Sequence, residues 1–139
     1  MFYLPIVLAV LCTTVYHIAQ KAIPVRVNPM VSVTISYVTA LVVSLALLPF
    51  FPSRTGVSES LRNLNWGTYA VGVSIVGVEL AFLLVYRVGW KLSLASVTSN
   101  VATAVLLVGL GTLWFGEHLS GRNALGLALC LAGLALARH

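Results

Sequence analysis

Five apolar runs, each about 20 residues long, occupy most of this 139-residue chain. A helix that crosses the hydrocarbon core of a bilayer needs about 20 mostly apolar residues, and its backbone polar groups must be satisfied within the segment. The runs therefore predict helices over about 3–21, 30–51, 66–89, 93–115 and 122–138. The expected fold is an all-α integral membrane protein with five transmembrane helices in one domain, residues 1–139. Pro24, Asn28 and Pro29 punctuate the first link, and Pro49 and Pro52 close the second run. The longest polar stretch, SRTGVSESLRNLN, reads as a loop.

Charge supports this class. Only 8% of the residues are charged, against about 25% in soluble domains. The net charge of +5 does not imply a nucleic-acid partner, because the basic residues are scattered and no aromatics interleave them. They act instead as topology determinants. With five crossings the termini lie on opposite sides. Lys21, Arg26, Arg87, Lys91 and Arg138 then share one side, and Arg54, Arg62 and Arg122 the other. This favours an outside N-terminus and a cytoplasmic C-terminus, but a bias this small permits insertion in both orientations. The first run has no basic stretch before it and no small-x-small site after it, so it is expected to stay as a helix. Cys12 and Cys130 sit inside apolar runs and behave as small apolar residues; no disulfide is expected.

Helical periodicity assigns polar residues to faces. Thr13, His17 and Gln20 align on the first helix, with Tyr16 beside them. Ser32, Ser36 and Thr39 align on the second, and Ser96, Asn100 and Thr103 on the fourth. On the third, Gly72, Glu79 and Tyr86 are spaced by sevens, with Phe82 and Tyr69 flanking. Single Ser and Thr residues in such helices commonly bond to backbone carbonyls. The coordinated pattern around Glu79 and Asn100 points to a central polar cavity.

Glu79 constrains function most. An ionised carboxylate at the bilayer centre costs about 2.5–3.5 kcal/mol even on insertion scales, so the group is protonated, paired or hydrated. A carboxyl that can exchange its proton there is the minimum needed for proton-coupled exchange. It could also be a structural acid bonded to Asn100, His17 or a tyrosine. His17 is either a proton or substrate group or a satisfied core histidine. No Ser-His-Asp grouping, glycine-rich phosphate loop or metal-ligand cluster stands out, so no catalytic residue, metal or cofactor is expected, and Gly109-Leu110-Gly111 follows no strand.

The C-terminal half carries a resemblance. YRVGWKLSLAS, then the GE-x-L-S-G-x4-G stretch from Gly116 to Gly126, then a Gly-x6-Gly spacing to Gly133, resembles an EamA-type domain of the drug/metabolite transporter superfamily. The N-terminal part agrees in helix count and in the lysine after the first helix. The resemblance implies one five-helix, inverted-repeat half, completed by an antiparallel homodimer or a paired homologue. The last helix is similar to the dimerisation helix of the small multidrug resistance transporters, which implies Gly126, Leu129, Cys130 and Gly133 at a dimer interface. Glu117 matches the family's GE turn and is expected to cap the last helix. Those small transporters carry a coupling glutamate on their first helix and a glycine-valine-glycine kink. Here Thr13 and His17 stand on the first helix, and Val101-Ala102-Thr103 replaces the kink. Glu79 is therefore a reading from position, not a site carried over.

Together these readings predict a proton-coupled transporter of the bacterial inner membrane, exporting a small organic solute or metabolite. Substrate and proton would compete for Glu79, and His17, Asn100, Tyr86, Tyr16 and Thr13 would contribute to the site. The rings offer cation–π contact if the solute is a cation. The alternatives are a lipid-linked sugar flippase subunit and a non-transporting assembly subunit.

Overall fold

The computed structural model describes residues 3–51, 56–114, 116 and 120–137. Among them the regular structure is entirely helical: α1 (Leu4–Ala22), α2 (Pro29–Leu47), a 3-10 turn (Leu48–Phe50), α3 (Val57–Arg62), α4 (Trp66–Arg87), α5 (Leu92–Trp114) and α6 (Gly121–Ala137). Four segments are long and apolar enough to span a membrane: Leu4–Ala22, Pro29–Phe50, Trp66–Arg87 and Leu92–Trp114. The fifth, α6, has 17 residues and is shorter than the other four. At 1.5 Å per residue it covers about 26 Å, just under a typical hydrocarbon core. Of the five runs read from the sequence, four thus form helices long enough to span, and the fifth, the shortest, forms a shorter apolar helix.

The helix ends follow from local chemistry. Asn28 caps α2: its Oδ1 accepts from the Met30 amide at 2.9 Å, and Pro29 occupies the first turn, where a missing N–H costs nothing. Before α4, the Asn65 side chain accepts from the Gly67 amide at 3.0 Å. A Cβ at Gly67 would stand 3.0 Å from that same oxygen, so glycine leaves room for the cap. Beyond α4, Gly89 takes φ 98°, a left-handed value that glycine adopts without a side-chain penalty. At the start of α6 the Ser120 hydroxyl accepts from the Arg122 amide at 3.4 Å. The capping role expected of Glu117 falls outside the described residues.

The polar stretch read as a loop contains a helix. Val57–Arg62 forms a short turn and a half, with Glu59 in its first turn and Arg62 in its last. Those charges complement the helix dipole at both ends. The Ser60 hydroxyl donates to the Gly56 carbonyl at 3.0 Å.

The chain divides into two compact units, residues 19–87 and residues 1–18 with 88–139. In the 19–87 unit, α2 packs on α4. Val33 of α2 and Leu83 and Tyr86 of α4 are buried, and so is Gln20 at the end of α1. In the other unit, α5 packs on α6. Ala95 and Gly111 of α5 are buried, and so is His17 of α1. Most other leucines, valines and isoleucines of the spans are exposed, as expected of side chains whose solvent is lipid.

Candidate functional site

The expected site residues fall into two groups, one within each unit. Glu79 anchors the group in the 19–87 unit. It is half-buried in the middle of α4, and its Oε1 accepts a hydrogen bond from Gln20 Nε2 at 3.1 Å. The partner is an amide rather than a cation. Two turns further along α4, Tyr86 is buried and stacks on Phe82, with ring centroids 6.2 Å apart and planes inclined by 27°. The hydroxyl of Tyr37 on α2 is buried and makes no hydrogen bond among the described residues.

The second group lines a cleft of about 480 Å³ in the other unit. Thr13 and His17 of α1 and Ser96 and Asn100 of α5 supply its polar wall, and Ile6 and Val97 are among its apolar residues. His17 is 6% exposed, and its ring meets Tyr16 edge-on, with centroids 5.3 Å apart and planes at 68°. Asn100 Nδ2 donates to Ser96 Oγ, one turn away, at 3.4 Å. Neither the Asn100 carboxamide nor the imidazole ring provides a fixed charge.

One expected cavity residue is satisfied locally: Thr39 donates to the Ile35 carbonyl at 2.9 Å. Ser99, beside the α5 stripe, donates to the Ser96 carbonyl at 3.0 Å. These bonds turn both hydroxyls back onto their own helices. The residues assigned to a dimer interface, Gly126, Leu129, Cys130 and Gly133, are all exposed on α6. A Cβ added at Gly126 or Gly133 would meet nothing within 4 Å.

Two residues matter more here than the sequence suggests. Gln20 shares the stripe of Thr13 and His17, but periodicity alone does not choose Glu79 as its partner. Arg87, expected only to mark a membrane boundary, donates through Nη2 to the Val27 carbonyl and, at 3.5 Å, to the Pro24 carbonyl. It thereby ties the end of α4 to the link between α1 and α2.

Apolar spans carrying a hydrogen-bonded carboxylate and a polar cleft define a multi-pass helical membrane protein. The sequence matches the EamA-like transporter family over residues 1–138, and the chain belongs to that family, within the drug/metabolite transporter superfamily. It is a membrane transporter in class; the family is one of carriers rather than enzymes. Comparison with curated proteins and with solved structures gives no match.

Proposed function

We propose that this chain is a proton-coupled exporter of a small organic solute in the bacterial inner membrane, with Glu79 as the group that carries the proton. The observation behind the reading is the Gln20–Glu79 hydrogen bond at 3.1 Å. A carboxamide can donate to a carboxylate and can also donate to or accept from a carboxylic acid. The pair therefore remains bonded whether or not Glu79 holds a proton. A lysine or arginine in the place of Gln20 would stabilise the ionised form alone. An amide partner suits a carboxyl that must take up and release a proton within the span.

The solute is carried on the opposite stroke, with Thr13, His17 and Asn100 as polar contacts and Tyr16 as a supporting ring. One five-helix half needs a second for alternating access, because rocking about a midplane site usually uses two repeats. An antiparallel pair of copies, or a paired homologue, supplies it. The exposed Gly126, Leu129, Cys130 and Gly133 are the surface on which backbones could approach closely.

The same hydrogen bond also fits a second reading, in which Gln20 and Glu79 only hold α1 to α4. Thermal stability of the purified protein, measured across a panel of small solutes at several pH values, separates the two. For the coupled transporter, stabilisation by a solute depends on pH in the wild type, and this dependence disappears in Glu79→Gln. For the structural pair, both proteins respond alike.

A further inference from the structure

The link between α1 and α2 contains a turn that displays charge at the edge of the spans. The Val27 amide donates to the Pro24 carbonyl at 3.1 Å, which closes a turn with Val25 and Arg26 at its centre. Arg87, in the last turn of α4, donates through Nη2 to that same Pro24 carbonyl at 3.5 Å and to the Val27 carbonyl. One guanidinium thus holds both ends of the turn that carries a second. Lys21, in the last turn of α1, stands three residues before it. Lys21, the turn and Arg87 all belong to the 19–87 unit.

We propose that this end of the unit is a docking surface for anionic phospholipid headgroups. Lys21 and Arg26 meet the phosphate, and Val25 enters the acyl boundary beside them. The assignment is independent of which group carries the proton in transport.

Three observations carry it. The first is depth. The spans Leu4–Ala22 and Trp66–Arg87 both finish here, so the turn lies at the level where headgroups begin. The second is exposure. Lys21 and Arg26 are exposed, and neither makes a hydrogen bond or ion pair among the described residues. Arg87 is engaged by carbonyls and acts as the clamp. Val25 is 70% exposed, and an apolar side chain beside basic ones binds an anionic bilayer surface through both terms, burial and charge.

The third is charge. The carboxylates of this unit are Glu59 and Glu79. Glu59 precedes α4, and the length of α4 puts about 32 Å between its first residue and Arg87. Glu79 lies about 12 Å before Arg87 along the helix and is engaged by Gln20. Neither neutralises the turn. The C-terminal dipoles of α1 and α4 offset part of the positive charge, and a lipid phosphate offsets the rest. A zwitterionic headgroup brings its own cation and gains less, so the surface favours lipids of net negative charge.

Native mass spectrometry of the full chain, titrated with phosphatidylglycerol or with phosphatidylcholine of the same acyl chains, tests this. Lys21→Gln/Arg26→Gln removes two exposed charges and no hydrogen bond of the turn. Arg62→Gln/Arg122→Gln removes the same charge elsewhere. In the wild type, phosphatidylglycerol should bind about tenfold tighter than phosphatidylcholine or better. Lys21→Gln/Arg26→Gln should weaken phosphatidylglycerol by about tenfold or more, and the control pair by less than about threefold. Arg26→Gln alone should lose about threefold or more, and reads the same point if the double variant is unstable. Equal binding of the two lipids, retained affinity in the Lys21 and Arg26 variants, or an equal loss in the control pair overturns the proposal. Displacement of the lipid by an equal concentration of glycerol phosphate would make this a site for a free phosphate ester, and would overturn it too.

Discussion

Gln20 Nε2 lies 3.1 Å from Glu79 Oε1, joining the end of α1 to the middle of α4 across 59 residues of sequence. The bond places a donor against a carboxyl whose charged form the bilayer disfavours. Replacing Gln20 with leucine leaves that carboxyl without its amide. The expected cost is about 1–3 kcal/mol, seen as a lower unfolding midpoint in mild detergent. Glu79→Gln keeps an amide–amide bond at the same place and should cost less than Gln20→Leu.

Arg87 predicts a different loss. Its guanidinium holds the Val27 and Pro24 carbonyls, and a hydrogen bond to a charged group contributes about 1.5–3 kcal/mol. Arg87→Ala should therefore loosen the link between α1 and α2. Trypsin cleavage after Arg26, in that link, should become faster than in the wild type. Arg87→Lys, which has no forked donor, should fall between the two.

Gly89 tests the turn between α4 and α5. It has φ 98°, and a Cβ there would meet nothing within 4 Å. Gly89→Ala should therefore cost only backbone strain, about 1–2 kcal/mol. A larger loss would point to a contact that the turn does not show.

The α6 surface separates folding from pairing. Because Gly126 and Gly133 have open space within the chain, leucine at both positions should leave the monomer's stability within about 0.5 kcal/mol. It should abolish cross-linking between copies if backbones approach one another there. Unchanged cross-linking would move the interface elsewhere.

The sequence makes the spans legible because lipid imposes one rule on all of them: long apolar runs must be helices. It also identifies Glu79, because one carboxylate in such a run is conspicuous. The helix Val57–Arg62 was hidden because a polar stretch has no apolar period to reveal it; only the placing of Glu59 and Arg62 hinted at it. The pairing of Gln20 with Glu79 was hidden for another reason. Periodicity gives the face of each helix, while the choice of neighbour depends on packing between segments far apart in the chain. For the same reason Thr39, on an apparent cavity stripe, proved to be bonded to its own helix, and Arg87 proved to hold carbonyls rather than only mark a boundary.

The account stands or falls on Glu79 carrying a proton. The direct measurement is uptake of a panel of labelled small organic solutes, cationic, anionic and uncharged, into proteoliposomes with an imposed pH gradient, comparing wild type with Glu79→Gln. The account predicts that the wild type concentrates at least one of them against its gradient, while the variant only equilibrates it. Concentration by Glu79→Gln to the wild-type level would contradict it.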